Sequence, residues 1–165
     1  TNDGDSVNPF PAYKTLEEVN AAIKKSKKLI SIYKSKFKRY LLQKYIKLKR
    51  LIKKPKHLQN SNEYLEDVSL HGCALIFSKK YYEKYEYCIY NETFLYHEEE
   101  FLEYRRKKDN LKFVYDPTIE IFHKEGSSLA FNYNDNLYKK LIFREENIIK
   151  SLTLLKEIME KNKGI

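Results

Sequence analysis

The chain is 165 residues long, 42% hydrophobic and 33% charged, which excludes a disordered tail and a membrane-spanning segment. Four Gly and four Pro are too few for the frequent turns of a β-sandwich or barrel, and two cysteines without metal-ligand spacing exclude a disulfide scaffold and favour a reducing compartment. The net charge of +9 admits nucleic acid, anionic lipid or phosphorylated compounds as partners. No signal-peptide core and no apolar run near 18 residues is present, so a cytoplasmic chain is expected.

Residues 1–14 are turn-rich, with Asp3-Gly4-Asp5 and Asn8-Pro9 as turn signals. Thr15-Leu16-Glu17-Glu18 has the spacing of a capping box, in which the Thr15 hydroxyl and the Glu18 carboxylate each accept from the other's backbone N–H. Residues 15–56 therefore read as a helical segment. From Lys24 to Lys56 it holds fifteen Lys or Arg, and no acid falls between Glu18 and Glu63. Ile30, Tyr33, Phe37, Leu41, Tyr45, Leu48 and Ile52 recur at steps of three and four, which predicts one continuous helix with an apolar stripe and basic flanks, ended by Pro55. Such a helix suits either a solvated surface or an anionic membrane face. Lys34, Lys38, Arg39, Lys49 and Arg50 are the candidate lipid contacts.

Beyond a polar connector the period changes. Val68–Ser78 contains an apolar run compatible with a buried strand, and Ser78 is placed to cap a short helix through Tyr85. A helix is expected over the segment that begins Glu98-Glu99-Glu100, where acids precede bases as the helix dipole favours. Leu111–Tyr115 and Ile119–Phe122 are short strand candidates on either side of Asp116-Pro117. A last helix starts at Asn134 or Asp135, with Gly164 as its C-cap candidate.

Two features carry chemistry: the acidic patch at a helix start and His123 after an apolar strand. Taken singly, three such acids ordinarily compensate the dipole, and one such His is ordinarily a hydrogen-bonded structural residue. Their order alongside other motifs adds a resemblance. Gly72-Cys73-Ala74-Leu75-Ile76-Phe77-Ser78 reads as a Gly-led strand running into a helix. Phe94-Leu95-Tyr96 precedes Glu98-Glu99, with Leu102 and Arg105 further along the helix. Val114-Tyr115-Asp116-Pro117 then leads to His123 and the pair Ser127-Ser128. This stretch, residues 70–128, resembles the C-terminal half of family 2 glycosyltransferases, the GT-A enzymes of bacterial polysaccharide synthesis that include rhamnosyltransferase-like members; the last helix resembles their closing segment more loosely.

The resemblance implies an α/β fold: the acceptor-side part of a GT-A domain, with a few short mixed strands and long helices. It implies an inverting enzyme that moves a sugar from a nucleotide sugar to a saccharide or lipid-linked saccharide acceptor, at the inner face of the cell membrane. Glu99 falls at the position of the catalytic base, where the family's usual Asp is replaced, with Glu98 beside it. His71, Gly72, Tyr96 and His97 fall on the acceptor side, and His123 matches a ligand position for Mg²⁺ or Mn²⁺. The family's nucleotide-binding half has no counterpart here. Asp3-Gly4-Asp5 has the letters of its Asp-x-Asp motif but no preceding strand, so the expectation is a fragment, inactive alone, whose main metal ligands lie upstream. The expected divisions are a lead-in at 1–14, the basic helix at 15–56, the acceptor and catalytic-base part at 57–133, and the last helix at 134–165. The rival reading is a basic helical module for nucleic acid or an anionic membrane. Nucleic acid is disfavoured because the segment is rich in Lys but holds only Arg39 and Arg50, and no nucleic-acid module surrounds it.

Overall fold

The computed structural model describes residues 8–13, 15–52, 63–72, 74–93, 96–119, 121 and 136–162, with the side chains of 49–52 excepted. Its elements are helices α1 (Leu16–Lys34), α2 (Lys36–Ile52), α3 (Lys79–Lys84), α4 (Glu98–Lys108) and α5 (Leu137–Lys161), with strands β1 (Leu65–Glu66) and β2 (Val114–Tyr115). The architecture is helix-rich. The two strands pair antiparallel, Leu65 opposite Tyr115 and Glu66 opposite Val114. Among the described residues no helix is long and apolar enough to cross a membrane.

Helix α1 starts where the capping box places it, with both reciprocal bonds formed: Glu18 N–H donates to the Thr15 hydroxyl at 3.1 Å and Thr15 N–H to the Glu18 carboxylate at 3.0 Å. It packs along α5. Val19, near the start of α1, meets Leu152 and Leu155, near the end of α5, and Phe101 of α4 closes this cluster. At the other end Tyr33 lies 6.4 Å from Tyr138, so the two helices run antiparallel. Full burial of each of these apolar side chains is worth about 1.5–3 kcal/mol, which makes this junction the anchor of the fold. Between the two ends the interface turns polar and small, with Ser26, Asn147 and Ser151 buried and Glu145 buried against Arg144 at 2.7 Å.

The basic segment is not the single helix its periodicity predicts. Ser35 leaves helical geometry at φ −103° and ψ 122°, ends α1, and its hydroxyl accepts from the Lys38 N–H at 3.3 Å to begin α2. A serine competing for backbone donors explains the break, since Ser is a far better N-cap than helix interior.

The strand expectations fail more widely. Residues 68–72 and 74–78 form no strand, and Ile76 is 85% exposed. Ile119 and Ile121 are exposed and unpaired in any sheet, while Phe122 lies outside the described residues. Of Leu111–Tyr115 only Val114 and Tyr115 are strand. A strand needs a neighbour for its backbone hydrogen bonds, and the described residues offer only the β1–β2 pair. Among the described residues the α/β expectation is thus reduced to a helix-rich architecture with one two-residue ladder. Ser78 does cap α3, accepting from Tyr81 N–H, and α5 starts at an Asn136 cap, one residue past the later of the two expected starts.

Candidate functional site

The site forms where the first turn of α4 meets the 8–13 and 69–72 segments. These two segments are joined by Phe10 N–H donating to the Ser69 carbonyl at 2.7 Å and by His71 N–H donating to the Asn8 side-chain oxygen at 2.7 Å. Phe10 also meets the His71 ring edge-on, with centroids 5.7 Å apart. Residues 70–72 are thereby held over the start of α4. Gly72 N–H donates to Glu99 Oε1 at 2.9 Å, and His71 Nε2 lies 3.9 Å from the same oxygen. Glycine favours this close approach: a Cβ at residue 72 would stand 3.0 Å from that oxygen and press on the carboxylate.

The backbone just before the helix is strained. Tyr96 and His97 both adopt left-handed conformations, at φ 72° and φ 70°, with no glycine to relieve them. Each such residue costs about 1–2 kcal/mol, and consecutive ones persist only where surrounding contacts impose them. Those contacts are visible for His97. Its ring stacks on Tyr13 with centroids 5.7 Å apart, and its Nδ1 lies 2.9 Å from Glu100 Oε1. His97 precedes α4 without a side-chain capping bond, so the ring serves the Glu100 carboxylate instead.

The three glutamates of the first turn therefore have different surroundings. Glu99 is partly open and held by Gly72. Glu98 is half-buried, and burial, helped by the charges of Glu99 and Glu100, pushes its carboxyl above the usual value of 4.5 despite a backbone N–H and His97. Glu100 is only 2% exposed, and its Oε2 has no hydrogen-bond partner. Tyr13, against that cluster, is raised above 10.0 by its burial first and by Glu100 and Glu18 next.

The other end of α4 anchors the loop that follows α3. Arg105 donates to the Tyr81 hydroxyl at 2.7 Å and to the Tyr87 and Cys88 carbonyls at 3.0 and 3.3 Å, with its guanidinium 4.5 Å above the Tyr85 ring. Tyr85 in turn bonds Asp109, and its hydroxyl is raised far above 10.0 by burial and by that carboxylate. Leu102 is buried. Both residues that the sequence motif singles out on this helix are framework here.

Of the expected site residues, His71, Gly72, Glu98, Glu99, Tyr96 and His97 come together around one helix turn. His97 faces Glu100 rather than Glu99, which the sequence did not indicate, and the stacking of Tyr13 on His97 was missed because Tyr13 is far away in the chain. His123 lies outside the described residues. No group of three or more His, Cys, Asp or Glu among the described residues is placed to hold a metal ion.

The five basic candidates also divide. Lys34 is exposed at the end of α1, and Lys38 Nζ donates to the Ser31 hydroxyl at 2.9 Å. Arg39 turns toward the protein, with its guanidinium 4.2 Å above the Tyr138 ring of α5, so it is not the outward-facing contact expected of it. The side chains of Lys49 and Arg50 lie outside the described residues.

No family model, curated protein or solved structure matches this chain.

Proposed function

We propose that this chain is the acceptor-side part of an inverting, GT-A-type glycosyltransferase similar to family 2, with Glu99 as the general base. The observation that carries this reading is the held Glu99 carboxylate: Oε1 is fixed by the Gly72 N–H, at a helix start beside His71. The fixed N–H at the helix start orients such a carboxylate, as a general base must be oriented. Sequence order supports it too, since Gly72, the Tyr96-to-Glu99 run and Val114-to-Pro117 fall in the family's order.

In this mechanism the acceptor hydroxyl gives its proton to Glu99. Its oxygen forms the new bond to the anomeric carbon from the face opposite the leaving group. The bond to the nucleoside diphosphate breaks, and the diphosphate departs with the electron pair. Glu98, half-buried and less acidic than a free carboxyl, contacts the acceptor as a neighbouring polar group. His71 orients the Glu99 carboxylate, and Tyr96 and His97 set the direction of the turn. The donor-binding half and the principal ligands of a divalent cation belong, on this reading, to sequence outside these 165 residues.

The test uses the longest natural polypeptide that contains this chain, supplied with a panel of nucleoside-diphosphate sugars and saccharide acceptors. Glu99→Gln should lower kcat by about 10²–10⁴-fold while leaving sugar-nucleotide affinity within about twofold. A rate near wild type removes Glu99 as the base.

A further inference from the structure

Helix α2 is mounted with its apolar face outward. At 3.6 residues per turn, Phe37, Leu41, Tyr45 and Leu48 occupy an arc of about 80°. Their exposures are 70%, 49%, 59% and 59%, values that leave each largely uncovered. Contacts from α2 to α5 come from the opposite side of the helix, about 180° away. There Arg39 stacks on Tyr138 and Gln43 Nε2 donates to the Tyr138 hydroxyl at 2.7 Å. A helix whose only task was to complete this fold would turn the other way, because burying the apolar arc is worth far more than one cation–π contact and one hydrogen bond.

The charge around the arc selects what covers it. Helix α2 has seven bases and no acid in seventeen residues. Lys38 and Lys44 border the two edges of the arc, within about 20° of it, and long lysine stems reach past apolar neighbours to place an ammonium in a polar layer. Beside the arc, at the junction with α1, Ile32, Leu41, Leu42 and Tyr45 line a shallow cavity of about 300 Å³ with Lys38 at its rim. An apolar recess beneath a cation matches an acyl chain beneath an anionic headgroup. A second copy of α2 is a poor partner, since face-to-face packing would oppose the lysine borders of both copies, and no carboxylate occurs between Glu18 and Glu63 to pair with them.

We infer that α2 docks the protein on an anionic lipid surface, inserting Phe37, Leu41, Tyr45 and Leu48 among the acyl chains with Lys38 and Lys44 at the phosphates. This inference stands apart from the catalytic reading, and each can fail alone.

The 165-residue chain is tested by flotation with phosphatidylglycerol vesicles and, separately, with phosphatidylcholine vesicles. Binding is expected to phosphatidylglycerol alone and to weaken as salt is raised. Phe37→Ser with Leu41→Ser should lower partitioning by at least about tenfold. Lys38→Gln with Lys44→Gln should lower it by about tenfold or more as well. All four residues are exposed, and unchanged far-UV circular dichroism checks that the variants fold. Because the chain has no Trp, Phe37→Trp and Lys47→Trp each give a single reporter. Emission should shift to the blue, and be quenched by brominated acyl chains, for Phe37→Trp only. The inference is overturned if the chain ignores both vesicles, if the serine variants bind phosphatidylglycerol as wild type does, or if both reporters stay in water. It is also overturned if the serine variants abolish self-association or random-oligonucleotide binding while vesicle binding persists.

Discussion

Helix α4 opens on Glu98, Glu99 and Glu100 and closes on Arg105, Arg106, Lys107 and Lys108, so both ends carry the sign its dipole favours. Their buried carboxylates nevertheless fare differently. In the second turn Glu103 accepts from Arg106 Nε at 2.8 Å and from its terminal nitrogen at 2.9 Å, with Lys107 at 3.4 Å. Burial works to raise its carboxyl, but Arg106, Ser69 and Lys107 outweigh that and hold it below 4.5. The helix then ends on Asn110 at φ 50°, with Leu111 N–H donating back to the Arg106 carbonyl at 2.8 Å, a Schellman closure in which Asn is a natural left-handed residue. At the first turn the left-handed residues are Tyr96 and His97, Glu98 is raised, and Glu100 keeps an orphan oxygen. Strain and incomplete pairing collect on the side where the candidate base stands, and full pairing collects on the side that holds the fold.

That contrast can be broken from its stable side first. Arg106→Leu leaves Glu103 buried with Lys107 and Ser69 alone, and should destabilise the chain by about 2–3 kcal/mol in urea denaturation; a loss below about 0.5 kcal/mol would mean that the exit of α4 is no better paired than its start. Gly72→Ala acts on the other side. The new Cβ meets the far end of the Glu99 side chain, which can give way, so stability should stay within about 1 kcal/mol. Turnover under the proposed function should fall about tenfold, because small displacements of a base are costly.

Glu98→Gln is a smaller change and sharpens the comparison through pH. A carboxyl raised on folding stabilises the chain when protonated: its contribution is complete below about 4.5 and is lost as pH rises through the raised value. Glu103 has the reverse sign, stabilising above about 4.5 and failing as pH falls through its lowered value. Glu98→Gln should therefore be more stable than wild type near neutral pH, by under about 1 kcal/mol because the dipole loses a charge, and should lose that advantage by about pH 4. Glu103→Gln should instead be less stable near neutral pH and converge on wild type in acid. The smallest effect is expected for Asn110→Gly, a gain of a few tenths of a kcal/mol, since Asn already tolerates the left-handed turn.

Local signals were legible in the chain and longer-range ones were not. The Thr15 capping box, the Ser78 cap and the acid-to-base order of α4 each depend on residues within a few positions, and each forms as the spacing predicts. The break at Ser35 was hidden because Ile30, Tyr33, Phe37 and Leu41 keep their three-and-four spacing straight across it. The apolar run at 74–77 looks like a strand, yet being one depends on a neighbouring backbone that no residue in the run specifies. Around the candidate site, Gly72 and Glu99 were both legible as types. Their hydrogen bond, and the stacking of Tyr13 on His97, depend on how the 8–13 and 69–72 segments dock on α4, which no local spacing records.

Ser35 has one more consequence. A run of residues can keep perfect phase in sequence while the object it describes changes phase in space. Up to Tyr33 the apolar beat lands on the protein's own interior, and from Phe37 the same beat lands on the outside world. One non-helical residue thus acts as a commutator, switching identical sequence code from cohesion to display. Replacing Ser35 with a strong helix former would not merely lengthen α1; it would re-aim every apolar side chain that follows.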